Sequence, residues 1–356
     1  MPLTAAAPSR SFASDNAAGA HPAVIEAVVA ANAGHALAYG EDAHTARCEA
    51  ALSELFDADV VTRLTFNGTG ANVAALATLM ASLRGPHHAV VCSSWAHINI
   101  DETAAPERIL GTKLIDLPAE DAKVTPAQLR VVGADLGAVH HAQPGVLSMT
   151  QPTELGTLYT AAEIAALCDT AHELGMLVHL DGARIANATA SLGGTREALR
   201  SFTLDAGVDA VSFGGTKNGL LGADAVVFLN REAAVGSEYV RKQVTQLPSK
   251  MRFLAAQFNA VLADDLWLCL GEHSNTMAQL LHDRVAVLPG VEAGPSPAVN
   301  SIYPALPPSI IKPLQAWSFF WDWDVTKHQV RWMTAWDTTI EDVEAFVAGV
   351  AELAGR

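Results

Sequence analysis

The sequence predicts an α/β protein, with a mostly parallel sheet in a large domain and a smaller α+β domain at the C-terminal end. Strand and helix patterns alternate from about Ala43 to Phe228, and such alternation favours a parallel sheet with helices on both faces. After about Lys250 the pattern changes to a long helix, several short strands and a closing amphipathic helix. The chain has 356 residues, of which 50% are hydrophobic, so it can bury two such cores.

Hydrophobic periodicity locates the elements of the large domain. Helices are predicted at residues 71–83 and 161–174, and the second ends before Gly175, a residue suited to a left-handed helix cap. The short buried strands are predicted at residues 89–92, 176–180, 210–213 and 225–229.

The C-terminal part has a different pattern of elements, with one long helix predicted at residues 253–283 and a last helix at 340–353. Between them, short strands are predicted at residues 301–303, 318–323 and 330–335. We therefore divide the chain into an N-terminal segment, a large domain and a small domain, which span residues 1–40, 41–250 and 251–356.

Composition excludes several classes of partner. The formal net charge of −16 argues against nucleic acid and anionic membranes, because both bind basic surfaces. No signal peptide is recognised and no unbroken apolar run approaches the roughly 18 residues of a membrane helix, so we expect a cytoplasmic protein. The 13 histidines are scattered and form no H-E-x-x-H motif, so no metal site is predicted.

A carboxylate and a lysine follow two of the predicted strands. Asp181 comes directly after the strand at 176–180, and Lys217 follows the strand at 210–213 after two glycines and a threonine. Ligands of open α/β sheets bind at the carboxyl ends of strands, so we expect both side chains in one crevice. Pyridoxal phosphate (PLP) needs such a pair, since a lysine amine forms its Schiff base and a carboxylate keeps its pyridine nitrogen protonated. Taken singly, the two residues would equally suit a helix cap and a solvated loop.

Two further features suit the same cofactor. The small residues Gly68, Thr69 and Gly70 precede the predicted helix at 71–83, and a helix N-terminus with exposed N–H groups binds phosphate. Thr69 could also serve only as a helix cap. His97 follows the strand that ends at Cys92 and could stack on the pyridine ring, although a lone histidine is more often structural.

Eight short motifs occur in a characteristic order: FASDN (12–16), YGED (39–42), FNGTGAN (66–72), AHINIDE (96–102), TELG (153–156), HLDGAR (179–184), FGGTKNG (213–219) and SKMRF (249–253). With this set the chain resembles the low-specificity L-threonine aldolases and phenylserine aldolases of the β-eliminating lyase group. The resemblance covers nearly the whole chain. It implies the aspartate-aminotransferase-like PLP fold (fold type I) and retro-aldol cleavage of L-threonine, L-allo-threonine or phenylserine to glycine and an aldehyde.

The resemblance also implies roles for individual residues. At the cofactor these are Lys217 for the Schiff base, Asp181 for the pyridine nitrogen, Arg184 for the phenolic oxygen, His97 for ring stacking, and Gly68 with Thr69 for the phosphate. Ser14 and Arg331 would bind the substrate carboxylate, which the planar fork of arginine can grip with two bonds. Tyr39 and Arg252 would serve the site of a neighbouring subunit, so a homodimer or homotetramer with shared sites is implied.

The sequence departs from the family pattern at two places. Glu154 stands where some members carry a histidine assigned to the substrate hydroxyl, and we expect His140 to make that contact through a water molecule. The aromatic run at 317–323 is expected to serve core or subunit packing rather than a substrate pocket. The same cofactor site could run β-elimination, racemisation or transamination, and a PLP-binding protein without turnover is the alternative outside enzymes.

Overall fold

The computed structural model describes residues 3–83, 85 and 87–355. Its large domain is built on a seven-stranded sheet in the order β1-β7-β6-β5-β4-β2-β3. The strands are β1 (Val61–Thr65), β2 (His87–Ser93), β3 (Lys113–Leu117), β4 (Gln143–Thr150), β5 (Leu177–Gly182), β6 (Ala210–Phe213) and β7 (Asp224–Phe228). From β3 to β6 the neighbours pair in parallel, and only β7 runs antiparallel to both of its neighbours. The predicted mostly parallel sheet is confirmed.

Helices connect and cover these strands. Within the described residues they are α1 (Pro22–Ala31), α2 (Ala43–Phe56), α3 (Gly68–Ser82), α4 (His97–Ile100), α5 (Ala105–Leu110), α6 (Pro126–Gly133), α7 (Ala161–Glu173), α8 (Ile185–Ser191), α9 (Arg196–Ser201), α10 (Ser237–Gln243), α11 (Arg252–Leu262), α12 (Leu266–Val285), α13 (Pro308–Trp317) and α14 (Ile340–Ala354).

The sheet is buried on both faces, as strand β7 illustrates. Ala225 and Val227 point into the core that includes α7, α8 and α11, whereas Val226 and Phe228 point into the core beneath α3. Successive side chains of a strand point to opposite faces, so an all-apolar strand needs a cover on each side. With both faces covered, the carboxyl ends of the parallel strands are the open edge available for a ligand.

The small domain has a three-stranded antiparallel sheet in the order β8-β10-β9, formed by β8 (Ser301–Ile302), β9 (Trp321–Asp324) and β10 (Gln329–Met333). The N-terminal segment joins its core, where the ring of Phe12 lies 4.6 Å from that of Phe346. The backbone N–H of Met333 also donates to the carbonyl of Phe12 at 2.9 Å. This anchorage fixes the chain just before Ser14.

The predicted long helix at 253–283 is wrong in one respect, because it is broken between α11 and α12. Asp264 and Asp265 adopt positive φ angles of 52° and 53° there. Aspartate tolerates this left-handed conformation, and hydrophobic periodicity does not register the break.

The stretch Arg252–Val285 is long and apolar enough to cross a membrane by length and composition. Half of its most apolar part is buried, and Leu254, Phe258 and Trp267 belong to the core under the large sheet. Core helices account for its composition. Helix α11, which follows residue 250, packs into the core of the large domain. The domain boundary at residue 250 stays a prediction.

Candidate active site

The carboxyl ends of β5 and β6 bring the two predicted key residues into one pocket. Asp181 is the penultimate residue of β5, and Lys217 lies in a 3-10 helix, Thr216–Asn218, shortly after β6. Both line a narrow pocket, named here the inner pocket, together with His97, Gly68 and Thr69. The structure therefore brings the carboxylate and the amine into one pocket, beside the N-terminus of α3.

A chain of buried hydrogen bonds supports the inner pocket. Asn72 Nδ2 donates to Asp181 Oδ2 at 2.8 Å and to Glu102 Oε1 at 2.9 Å. The same Glu102 oxygen lies 2.9 Å from Nδ1 of His97, and this hydrogen bond raises the pKa of His97. Asn72 and Glu102 went unassigned in the sequence, although both lie inside motifs, FNGTGAN and AHINIDE.

The electrostatic surroundings of Lys217 favour a reactive amine. Burial lowers the pKa of Lys217, and the positive charge of Arg184 lowers it further, while Asp15, Asp181 and Asp224 act in the opposite direction. A lysine with a depressed pKa has a larger neutral fraction, and only the neutral amine attacks a carbonyl carbon.

Arg184 is held by a partner that the sequence did not reveal. Its Nε and Nη2 donate to the two carboxylate oxygens of Asp15 at 2.6 and 3.0 Å. Asn300 Nδ2 adds a third donor to Asp15 at 3.1 Å. Burial alone would raise the pKa of Asp15, but the charge and hydrogen bonds of Arg184 outweigh it and lower this pKa to about 2. The pair ties the N-terminal segment to the large domain.

A larger cavity of about 550 Å³, named here the outer cavity, adjoins the inner pocket. His97, Pro152, Glu154, Arg184 and Lys217 line both spaces. The outer cavity also contains Ser14 and Arg331, the predicted carboxylate ligands.

Arg331 is positioned with a hydrogen-bond donor to spare. Its Nη2 donates to the carbonyl of Ala13 at 3.3 Å, and its guanidinium lies 5.5 Å from the ring centre of Trp323. The Nε atom is buried without a partner. A buried donor without an acceptor is costly, so an anionic ligand would be a favourable addition.

The aromatic run at 317–323 divides between two tasks. Trp317 and Phe320 pack in the small-domain core, as predicted. Trp321 and Trp323 instead line the outer cavity, so the expectation that the run serves packing alone is wrong for these two. Both belong to strand β9, which borders the cavity along Trp321–Trp323.

Glu154 lies where the two spaces meet. Its Oε1 accepts hydrogen bonds from the backbone N–H of His97 and from Thr150 Oγ1, both at 2.8 Å. Its Oε2 is buried and has no partner. Burial raises the pKa of Glu154 to about 7 in spite of the two bonds.

Comparison with known proteins decides the family. A model of the β-eliminating lyase family matches residues 11–303. The chain belongs to the β-eliminating lyase family. It is 40% identical over 350 residues to the low specificity L-threonine aldolase of Pseudomonas aeruginosa, covering 98% of this chain and 99% of that protein. A second such protein, from a Pseudomonas species, is 39% identical and covers 96% and 97%.

Solved structures agree with this β-eliminating lyase fold. The threonine aldolase of Leishmania major superposes with a TM-score of 0.88 at 27% identity, covering 97% of this chain and 99% of that one. A structure of Oryza sativa TDC with PLP and tryptamine gives a TM-score of 0.76 at 15% identity, covering 97% and 84%, and supports the fold alone. The predicted family and fold class are confirmed.

The donor set of this lyase fits PLP. Lys217 offers an amine and Asp181 a carboxylate, both facing the inner pocket. Asn67 caps α3 by accepting from the N–H of Gly70 at 2.8 Å, and the N–H groups of Gly68 and Thr69, at the first two helical positions, have no helical partner. The carbonyl carbon, the ring nitrogen and the phosphate of PLP can thus be bound by the amine, the carboxylate and the helix N–H groups, respectively.

His140 is not at this site, and its predicted role is corrected. Its side chain is exposed in the turn before β4, whereas the opposite end of β4, at Thr150, adjoins the inner pocket. An eight-residue strand is on the order of 25 Å long, too far for a bond through one water molecule.

Tyr39 and Arg252 also lie outside both spaces. Tyr39 is half exposed, with the amine of Lys242 5.1 Å from its ring centre, and Arg252 Nη1 donates to the carbonyl of Gly34 at 3.2 Å. Their contribution to a neighbouring subunit's site stays a prediction.

Proposed function

We propose that this lyase is a PLP-dependent aldolase that cleaves L-threonine, L-allo-threonine and related β-hydroxy-α-amino acids to glycine and an aldehyde. The observation that carries the proposal is the shared position of Lys217, which lines the inner pocket with Asp181 and the outer cavity with Arg331. An amino acid in the outer cavity would thus present its amino group to the lysine-bound cofactor. The named aldolase relatives support the same reaction.

Five groups of the inner pocket would hold the cofactor. Lys217 would form the Schiff base, Asp181 would bond the pyridine nitrogen, His97 would stack on the ring, and Gly68 and Thr69 would bind the phosphate. Bound PLP supplies an electron sink for the cleaved bond. Arg184 is fixed by Asp15 at the junction of the two spaces, where it can bond the phenolic oxygen.

Arg331 and Ser14 would orient the substrate. The guanidinium of Arg331 and the hydroxyl of Ser14 line the same cavity and can both donate to a carboxylate there. A fixed carboxylate leaves little freedom at the α-carbon, so the bond to be broken is held in one direction.

The aromatic wall of the outer cavity supports a preference for bulky substituents at the β-carbon. Trp323 stacks on Trp95, with ring centres 6.2 Å apart, and meets Tyr303 at 5.0 Å. Trp321 completes the wall at the rim. Aryl side chains gain from such surfaces by burial and by ring–ring contact, so we expect phenylserine to be cleaved more efficiently than threonine.

Assembly and location belong to the same proposal. A homodimer or homotetramer would bring Tyr39 and Arg252 to a neighbouring site, and the enzyme would act in the cytoplasm. Both expectations rest on the family resemblance.

The test is aldehyde release from L-threonine, L-allo-threonine and L-phenylserine by the purified protein with PLP, with glycine measured alongside. Equimolar aldehyde and glycine are expected, and Lys217→Ala should lose both. A protein that binds PLP and cleaves none of the three would contradict the aldolase proposal. The cofactor site would then serve elimination, racemisation or transamination, which the named relatives do not favour.

A further inference from the structure

We propose that Glu154 is the catalytic base that takes the proton from the β-hydroxyl of the substrate. The inference rests on the proposed aldolase function and names the group that the function still lacks. It takes the place of His140, which lies at the other end of β4.

The position of Glu154 suits this task. It lines the inner pocket and the outer cavity together with Lys217, so it would border both a cofactor in the first and a substrate in the second. Its backbone carbonyl accepts from the hydroxyl of Tyr303 at 2.8 Å, which fixes the residue to the small domain as well. A base needs to lie near the bond that is broken, and a residue at the junction of the two spaces is placed for this.

The two oxygens of Glu154 are not equivalent. Oε1 accepts two hydrogen bonds, from His97 N and Thr150 Oγ1, and these fix it as an acceptor. Oε2 has no partner and is the oxygen free to hold a proton. A carboxyl group with one fixed and one free oxygen can exchange a proton without losing its orientation.

Other groups of the outer cavity are less suited. Arg184 and Arg331 do not accept protons. His97 is engaged with Glu102 through Nδ1 and would stack on the cofactor. Asp322 is exposed and bonds to Lys312 at 3.1 Å, so it belongs to the surface.

The protonation of Glu154 agrees with the role. Burial raises its pKa to about 7, and the nearby charge of Asp181 adds to the rise. The carboxylate form, which accepts the proton, therefore becomes dominant as the pH rises through about 7. The titratable or charged groups that border its two spaces are His97, Asp101, Glu102, Asp181, Arg184, Lys217, Tyr303, Asp322 and Arg331.

The proton and electrons balance as follows. The O–H bond of the β-hydroxyl breaks, its proton passes to Oε2, and its electron pair forms the second C–O bond of the aldehyde. The Cα–Cβ bond breaks and its pair stays with the glycine fragment. That fragment takes a proton from solvent while Oε2 returns one to solvent, so the overall reaction consumes no proton.

The decisive variant is Glu154→Gln, measured as the holoenzyme. Glutamine keeps an oxygen for His97 N and Thr150 Oγ1 but cannot take a proton at the other end. We expect kcat for cleavage to fall by roughly 10²- to 10⁴-fold and its rise near pH 7 to vanish. The absorbance of lysine-bound PLP and the exchange of the α-hydrogen of glycine with solvent deuterium should persist, since neither involves a β-hydroxyl.

Two variants serve as controls. Glu154→His supplies another proton acceptor and should recover part of the lost kcat together with a rising pH limb. Glu120→Gln, an exposed glutamate on the loop after β3, makes the same carboxylate-to-amide change outside both spaces and should leave the pH profile unchanged.

Three outcomes separate the possibilities. Full kcat in Glu154→Gln with an intact pH limb would overturn the inference and leave the aldolase proposal standing. Equal loss of cleavage, PLP absorbance and glycine exchange would also overturn it, because it would show a structural role. A wild-type protein that cleaves no substrate would refute the aldolase proposal itself. The cleavage assay of the wild-type protein therefore comes before any variant.

Discussion

The inner pocket and the outer cavity are built on different principles. In the inner pocket, Asn72 bonds Asp181 and Glu102, and Glu102 bonds His97, so four charged or polar groups hold one another. In the outer cavity, Arg331 has one long bond to a carbonyl, a ring beneath it and a donor without a partner. In the inner pocket the side chains hold one another, and only Asn72 Oδ1, Glu102 Oε2 and Glu154 Oε2 are buried without a partner among its described side chains, whereas in the outer cavity Arg331 is held by a single long bond.

The origin of the difference lies in the fold. The inner pocket is made from the carboxyl ends of strands in a single sheet and from the starts of the helices that follow them. The outer cavity shares some of these strand-end residues and adds the N-terminal segment and the strands β8 to β10. Preorganisation favours the cofactor, whose shape is constant, whereas an adaptable wall suits substrates with different side chains.

Asp181→Asn should have the largest effect on the inner pocket. The change preserves shape but removes the negative charge that keeps the pyridine nitrogen protonated. We expect kcat for threonine cleavage to fall by roughly 10²- to 10³-fold, the size typical for loss of one preorganised electrostatic contact. The melting temperature should change little, and a variant with wild-type kcat would remove Asp181 from its assigned role.

Arg331→Lys, in the outer cavity, should have the next largest effect. Lysine keeps the charge but loses the fork and the ring contact with Trp323. We expect kcat/KM to fall by roughly 10- to 100-fold, as for loss of one or two charge-assisted hydrogen bonds. Titration with PLP should remain as in the wild type, because Arg331 does not line the inner pocket. A weakened affinity for PLP would show that the two spaces are not separable.

Much of the inner pocket could be predicted because its residues follow regular elements. Asp181 and Lys217 each come after a short apolar strand, and Gly68 starts a helix, so local pattern and the rule for parallel sheets suffice. Their partners could not be found in this way. Asn72 and Glu102 meet 30 residues apart in sequence, and Asp15 meets Arg184 across 169 residues.

The error at His140 has a related cause. Strand β4 was not among the predicted strands, so nothing indicated which end of it reaches the site. Once β4 is known to run from Gln143 to Thr150, His140 lies at the amino end and Glu154 just beyond the carboxyl end. In a parallel sheet, ligands bind at the carboxyl ends of the strands, so the position of Glu154 is the functional one.

Trp323→Leu should separate substrates rather than abolish activity. The change removes the ring that meets Trp95 and Tyr303 in the outer cavity. We expect the ratio of kcat/KM for phenylserine over threonine to fall by about 2- to 10-fold, the size of an aromatic pair contact. Trp323→Phe, which keeps a ring, should reduce the ratio less. An unchanged ratio in the leucine variant would mean that this wall does not select the side chain.

Thr150→Val should have the smallest effect. Thr150 lines the inner pocket and bonds Glu154, which lines both spaces. The hydroxyl of Thr150 donates to Oε1 of Glu154 at 2.8 Å, and this bond holds the pKa of Glu154 lower than burial alone would. Without it the pKa rises above about 7, so less of the carboxylate form is present at neutral pH. We expect kcat at pH 7 to fall by roughly two- to five-fold, as for loss of one ordinary hydrogen bond, and to recover towards pH 9. Thr150→Ser keeps the hydroxyl and should retain the wild-type profile. A shift of the rising limb to lower pH would contradict the assignment of that limb to Glu154, because removing a donor cannot stabilise a carboxylate.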